Sequence, residues 1–245
     1  MNEVEKLKPY SESSEEKKIQ IEQMFDNIAV KYDFLNHLLS AGIDILWRKR
    51  AIKELKDIAP RIIMDMATGT GDFAFEALAL NPDKVIGIDL SQNMLDVGIE
   101  KSKSRQVSDK IEFVKGDAEH LSYENEYFDA ITVGFGVRNF QNLQSGLTEL
   151  HRVLKSGGRI AILEPSFPKN PLIKYLFIFH FKFVTPFIGK LFSKDDSAYK
   201  YLPSSVEAFP QGETFNKLMR EVGYVNTKCI PLTFGICTLY LAEKS

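Results

Sequence analysis

Basic residues are missing from one stretch of this chain. Ile62 to Asp83 holds no Lys or Arg and four acids, Asp65, Asp72, Glu76 and Asp83, a formal local charge of 0 − 4 = −4. Cysteine is scarce as well. Cys229 and Cys237 lie eight apart with neither in a C-x-x-C pair, which argues against a zinc site and a disulfide framework. Two semi-buried thiols in a reducing, cytoplasmic compartment are expected instead. A basic surplus is absent: the formal net charge of −2 gives no electrostatic reason to expect nucleic acid as a partner. The first eighteen residues mix acids and lysines with no apolar core, so they do not read as a signal peptide; residues 1–18 are expected to form a flexible tail. No uninterrupted apolar run reaches the length of a membrane span. The most apolar stretch, "LIKYLFIFHFKFVTPFIGKLF" at 172–192, is divided by Lys174, Lys182 and Lys190 and broken by Pro186, so a buried lid or an interfacial patch fits it better.

What is present is ordinary for a globular chain: 44% hydrophobic and 26% charged residues over 245 positions. Residues 19–57 read as helical, with Ile21, Met24, Phe25 and Ile28, then Trp47, Ala51 and Leu55, at helical spacing. From residue 61, short apolar runs alternate with helical stretches. "RIIMDM", "KVIGIDL", "KIEFVKGD", "FDAITVGFG" and "GRIAILEP" read as strands. "GDFAFEALAL", "QNMLDVGIEKSKS" after a Ser91 N-cap, and "NLQSGLTELHRVLKSGG" closed by its glycines read as helices. That alternation predicts an α/β fold, a doubly wound and mostly parallel sheet. Residues 166–205 interrupt the rhythm as an insertion, and a helix follows at 211–222. The last strands, "YVNTKCIPL" and "FGICTLYLAEK", have no helix between them and are expected to pair antiparallel. The chain beyond the tail, 19–245, is then one domain: a helical lid at 19–58, a ligand-binding core at 60–165, and the insertion.

The turn "DMATGTGD" follows the first strand, where an open α/β sheet binds ligands. Gly69 and Gly71 let backbone approach a ligand, and the helix start offers free N–H groups. Gly69-Thr70-Gly71-Asp72-Phe73-Ala74 fits a dinucleotide fingerprint, but a pyrophosphate is poorly served by acids without a base. S-adenosylmethionine, a sulfonium and an ammonium with one carboxylate, poses the opposite electrostatic problem. Asp65 could receive its ammonium directly or through water. Asp89, eighteen residues past Gly71, can accept from both ribose hydroxyls, as it would from NAD. Asp117 can accept from the adenine amino group, with the Ala118 N–H on the ring. Asp72 reads as a residue that favours the helix N-terminus. Histidines 37, 120, 151 and 180 are scattered, and no metal-ligand cluster is evident.

Here the chain resembles a family. "DMATGTG" is similar to the acidic-x-Gly-x-Gly-x-Gly loop of class I S-adenosylmethionine-dependent methyltransferases, with Ala67 replacing the first glycine. "YDFLNHLLSAGIDILW" (32–47), "FGVRN" (135–139), "RVLKSGGRIAILEPS" (152–166) and "DSAYKYLPSSV" (196–206) resemble signatures of the ubiquinone/menaquinone biosynthesis C-methyltransferases. Asp44 stands where that family usually has His, and Gly134 where a Ser often lines the cofactor pocket. The resemblance implies a Rossmann-like seven-stranded sheet, S-adenosylmethionine as cofactor, and Thr70, Asp89, Asp117 and Ala118 among its binding residues. It implies C-methylation of an isoprenoid-tailed quinol, demethylmenaquinol, without settling naphthoquinol against benzoquinol. Tyr32, Asp33, Asn36, Arg138 and Asn139 are the polar groups expected to face the ring, with Arg138 stabilising a phenolate; Tyr201 is a weaker candidate. Two other readings remain open, a nucleotide-dependent oxidoreductase and a non-catalytic accessory protein of quinone synthesis. "VGFGVRN" lacks the Asn/Asp-Pro-Pro-aromatic motif of amine methyltransferases that act on nucleic acid. Peripheral contact of 172–192 with the inner face of the membrane and self-association into a homo-oligomer also stay open.

Overall fold

The computed structural model describes residues 3–10, 12–180, 184 and 197–245. Its helices are α1 (Glu3–Lys6), α2 (Lys17–Leu39), α3 (Ile43–Lys53), α4 (Asp72–Ala77), α5 (Gln92–Ser104), α6 (Leu143–Val153), α7 (Pro171–Phe179), α8 (Ser197–Ala208) and α9 (Glu213–Val222). The strands are β1 (Ile62–Met66), β2 (Lys84–Asp89), β3 (Ile111–Lys115), β4 (Phe128–Gly134), β5 (Leu154–Pro165), β6 (Val225–Leu232) and β7 (Cys237–Glu243). They form one seven-stranded sheet in the order β3-β2-β1-β4-β5-β7-β6. The first five strands run parallel, and β7 pairs antiparallel with both β5 and β6, as the missing helix between the last two strands predicts.

Both faces of the sheet are covered, which is why its strands read as continuous apolar runs. Met64 and Ile131 pack on one face with Leu147, Leu150, Phe215 and Met219 of α6 and α9. Ile63 and Leu163 pack on the other with Ala51 of α3 and Phe73 of α4. Neighbouring residues of β1 thus serve opposite cores, the period of two that a pleated strand imposes. The strand order reverses between β1 and β4, opening a crevice at their carboxyl ends.

Helix α2 crosses those ends. Lys18 meets Asp117 after β3, Asp26 meets Ser91 and Asn93 after β2, and Asp33 meets Thr70 after β1. Its apolar stripe, Ile21, Met24, Ile28 and Leu35, is buried against Met94 and Tyr201, the spacing read from the sequence. Ser91 caps α5 as expected, its hydroxyl accepting from the Met94 N–H at 3.1 Å.

Two expectations need correcting. Residues 3–10 are not a detached tail: Val4 on α1 is 1% exposed and joins the main core. Lys17, itself buried, donates to the carbonyls of Val4 (2.8 Å), Arg138 (3.0 Å) and Phe140 (3.1 Å). A run of acids and lysines hides one apolar anchor and one lysine with a buried task. Helix α6 also ends before the glycines of "KSGG". Leu154 turns extended to pair with Phe128, so Gly157 and Gly158 belong to β5 and cap nothing.

Candidate active site

The turn after β1 is held by geometry that small size alone does not reveal. Gly71 has φ +89°, and a Cβ there would sit 2.6 Å from the Phe113 ring. Ala67, in the place of the loop's first glycine, takes φ +55°, a region that costs an L-residue roughly 1–2 kcal/mol. Its methyl is accommodated because the facing residue is Gly136, whose Cβ would lie 2.4 Å from it.

Asp65 does not face the crevice. It is fully buried and accepts from Thr68 Oγ1 at 2.6 Å and Thr132 Oγ1 at 2.7 Å. Burial lifts its carboxyl to about 6, against the lowering effect of those hydroxyls. Asp65 does not line the cleft, and its two hydrogen bonds join the loop after β1 to β4. A folded-state pKa above the unfolded value gives stability that is present in acid and lost as pH rises through the folded pKa. Asp65→Asn should consequently gain in melting temperature relative to the parent between pH 5 and pH 8. A constant offset across that range would refute the assignment.

Thr70 and Gly71 belong to the turn but do not line the cleft. The Thr70 hydroxyl donates to Asp33, and Lys101 bonds Asp33 (2.8 Å), Thr70 (3.2 Å) and Asp72 (2.6 Å). Asp33 thus ties α2 to the loop and lines neither the cleft nor the apolar cavity beside it. Asp72 sits in the first turn of α4, as expected, but it also pairs with Arg48 at 3.2 Å. His37, Asp44 and Asp72 bring their ligating atoms within 4.8 Å of one another, a cluster the scattered sequence positions conceal. Arg48 and Lys101 already bind its carboxylates, so a metal ion would have to displace a side-chain cation.

A cleft of about 60 Å³ runs over Gly69, Asp89, Asp117 and Ala118, four of the cofactor residues expected from the sequence. Asp89 accepts the Gly69 N–H at 2.8 Å and the Ser91 N–H at 2.9 Å, one on each oxygen. A carboxylate offers about four acceptor sites, so two remain for a ribose diol. Burial raises its pKa, while the Ser91, Gly69 and Leu90 amides oppose the rise. Asp117 is bound by Lys18 at 2.9 Å and by the Glu119 N–H at 3.0 Å, and an adenine amino group would share its oxygens with that lysine. The acids lining the cleft are Glu22, Asp89, Asp117 and Glu119 against Lys18, or 1 − 4 = −3. The four acids counted between 62 and 83 are elsewhere: Asp65 is buried, Asp72 is paired, Asp83 pairs with Arg61 at the surface, and Glu76 does not line the cleft. The negative field that suits a sulfonium is present, but supplied by other residues. Pockets for small molecules run to about 300–1,000 Å³, so this cleft is narrower than most.

Beside the cleft lies a cavity of about 400 Å³ with largely apolar walls, among them Met24, Ile28, Leu35, Trp47 and Phe177. Phe25, Tyr32, Phe135 and Asn139 line both spaces and form their common wall. Arg138 and Asn139 sit on a short 3-10 turn after β4, and both are buried. Glu164, at the end of β5, accepts from Arg138 Nη1 at 2.8 Å and from the Arg138 backbone N–H at 3.3 Å. Burial pushes the Glu164 carboxyl up, and the guanidinium holds it back. Arg138 Nε and Asn139 Oδ1 are buried with no partner among the described residues. Tyr32 is half-buried, and burial keeps its phenol protonated. Glu164, Lys101 and Lys18 were not singled out from the sequence. An acid directly after the apolar run "IAIL", at the end of the strand, is the one local sign of a buried partner.

The model of the ubiE/COQ5 methyltransferase family matches residues 11–244. The demethylmenaquinone methyltransferase of Bacteroides fragilis is 52% identical over 241 residues, covering 98% of each chain. The ubiquinone/menaquinone biosynthesis C-methyltransferase UbiE of Geotalea daltonii is 46% identical over 94% of this chain and 98% of its own. A SAM-dependent methyltransferase from Aquifex aeolicus shares the fold, with a TM-score of 0.62 at 15% identity over 87% of this chain and 98% of that one. The chain belongs to the ubiE/COQ5 methyltransferase family, whose members are S-adenosylmethionine-dependent methyltransferases.

Proposed function

We propose that the chain methylates a ring carbon of demethylmenaquinol, giving menaquinol. The observation that carries this is the pair of adjoining spaces, an acidic cleft and an apolar cavity, with Arg138 in the cavity beside their common wall. The cofactor supplies an electrophilic methyl on a sulfonium. The residues of the cleft fit it: Asp89 has acceptor capacity for the ribose, and the Met66, Met94 and Ala118 side chains give an apolar bed for the base. The apolar cavity holds a bicyclic ring and excludes water. Arg138 stabilises the ring oxygen as it loses its proton, which makes the adjacent carbon nucleophilic. Tyr32 and Asn139 fix the ring between the two spaces. When bound, the cofactor would give up its methyl and keep the electron pair of the sulfur–methyl bond, and the proton shed by the ring carbon would restore the hydroxyl on the oxygen that Arg138 holds. The purified chain should convert reduced demethylmenaquinone to the methylated quinol, seen as a gain of one methylene in mass. Cells lacking it should accumulate demethylmenaquinone, and unchanged quinones would sink the proposal.

The tail of such a substrate resides in a bilayer, and α7 supports peripheral docking. Leu172, Tyr175, Leu176 and Phe179 recur at helical spacing and are 50–68% exposed, whereas Phe177 turns inward to the cavity. Asn170 caps this helix, accepting from the Leu172 and Ile173 N–H groups, and Lys174 is exposed on it. Val30, Phe34 and Leu38 add an exposed apolar stripe on α2. Among the described residues no helix is long and apolar enough to cross a membrane. The rest of the apolar stretch, 181–183 and 185–192, with Lys182 and Lys190, lies outside the described residues. Binding to liposomes should rise with anionic lipid and fall with salt. It should drop when Leu176 and Phe179 are both replaced by Ser. Indifference of the parent to anionic liposomes at low salt would leave the segment as a lid alone. Self-association of the chain stays a proposal that a sedimentation measurement would test.

A further inference from the structure

Tyr201 joins Arg138 and Asn139 as a residue of the substrate cavity with a buried, unpartnered polar atom. It comes from α8, in the part of the chain after the fifth strand, and its ring is 6% exposed against Met24 and Ile28 of α2. Its hydroxyl is buried with no partner among the described residues. A phenylalanine would fill the same space without stranding a hydroxyl away from water, so packing alone does not account for the oxygen. The ring lines the 400 Å³ cavity together with Arg138 and Asn139. The charges of Arg138 and Glu164 both act on its phenol. Burial raises its pKa further above the ordinary phenol value than those charges alter it, so the hydroxyl stays neutral at physiological pH. It can then either donate to an oxygen or accept from an O–H.

The unpartnered atoms define what the cavity must receive. Arg138 Nε is a donor only and calls for an oxygen acceptor. A ring carrying a single oxygen would satisfy Arg138 and leave Tyr201 stranded. A ring with two oxygens on opposite sides can satisfy both. We propose, on the reading of this site as a quinol C-methyltransferase, that Tyr201 binds the second ring oxygen of the acceptor and so selects a dihydroxy ring over a monohydroxy one. Arg138 takes the oxygen beside the carbon to be methylated, and Tyr201 takes the far one. Two fixed points orient the ring so that one carbon faces the wall formed by Tyr32, Phe135 and Asn139.

Anaerobic calorimetry on the full chain saturated with S-adenosylhomocysteine tests this with two tail-less probes, 1,4-naphthalenediol and 1-naphthol. The parent should bind the diol about tenfold more tightly, the order expected for one buried hydrogen bond in place of a stranded group. Tyr201→Phe should bind the diol about tenfold more weakly, leave 1-naphthol unchanged, and so abolish the preference. Equal weakening toward both probes would mark Tyr201 as a packing residue and overturn the proposal. Retention of the preference in Tyr201→Phe, or its absence in the parent, would do the same. Near-ultraviolet circular dichroism and S-adenosylhomocysteine affinity establish that the variant is folded. Failure of the quinol reading itself would appear separately, as no methyl transfer to demethylmenaquinol by a parent chain that still distinguishes the probes.

Discussion

Arg138→Ala is expected to lower kcat by about two to three orders of magnitude, while S-adenosylhomocysteine affinity stays within about twofold. Removing one preorganised contact to developing negative charge costs on the order of 2–4 kcal/mol in the barrier. The cofactor cleft is not lined by Arg138, which is why binding there should be spared. Stability should suffer too, because Glu164 is 0% exposed and loses its cation. Breaking one side of a buried pair typically costs about 3–5 kcal/mol. The folded-state pKa of Glu164 is already raised by burial, so its contribution favours the fold in acid and is lost as pH rises. The melting deficit of Arg138→Ala should therefore be larger at pH 8 than at pH 5. Arg138→Lys keeps a charge near Glu164 but loses the forked donor, and should recover stability more than turnover. A kcat within error of the parent for a folded Arg138→Ala would remove the residue from the chemistry.

Asp89→Ala should weaken S-adenosylmethionine and S-adenosylhomocysteine alike, by about 1–3 kcal/mol or roughly 5- to 150-fold. Two losses combine. The ribose hydroxyls lose their acceptor, and the Gly69 and Ser91 amides lose the carboxylate that now fixes both turns. Asp89→Asn should not rescue the loss. One carboxylate oxygen becomes an NH2 that must face an N–H of Gly69 or Ser91, donor against donor. Calorimetric titration decides, and unchanged affinity with an intact fold would take Asp89 out of the site.

The sheet was legible because its signals are local. The strand and helix periods, the Ser91 cap and the missing helix before β7 each act within a few residues. Asp89, Asp117, Ala118 and Gly69 could be placed for the same reason, since strand ends in a wound sheet share one edge. What failed to show depends on distance or conformation. Counting acids near the glycine turn suggested the right field from the wrong residues, because side-chain direction and pairing are not in the count. Ala67 looked harmless by size, yet its left-handed backbone is what makes Gly136 its necessary neighbour. Lys18 meets an acid 99 residues away, and Lys101 meets Asp33 68 residues away. No local pattern announces such pairs. Tyr201 lay in a stretch quoted for its resemblance, but only the cavity shows its hydroxyl stranded.

Lys17 couples residues 3–10 to the turn that carries Arg138 and Asn139. Burial brings its ammonium down to about 8, and its three protons are spent on three carbonyls, one near the chain start and two flanking Asn139. Trimming the chain ahead of Lys17 would remove the Val4 carbonyl and let water reach the ammonium. The lysine would then turn outward toward solvent, and the turn that aims Arg138 and Asn139 would lose its clamp from behind. Removal of residues 1–16 should thus lower turnover without altering the Arg138 or Asn139 side chain, and a kcat equal to the parent's would refute the coupling.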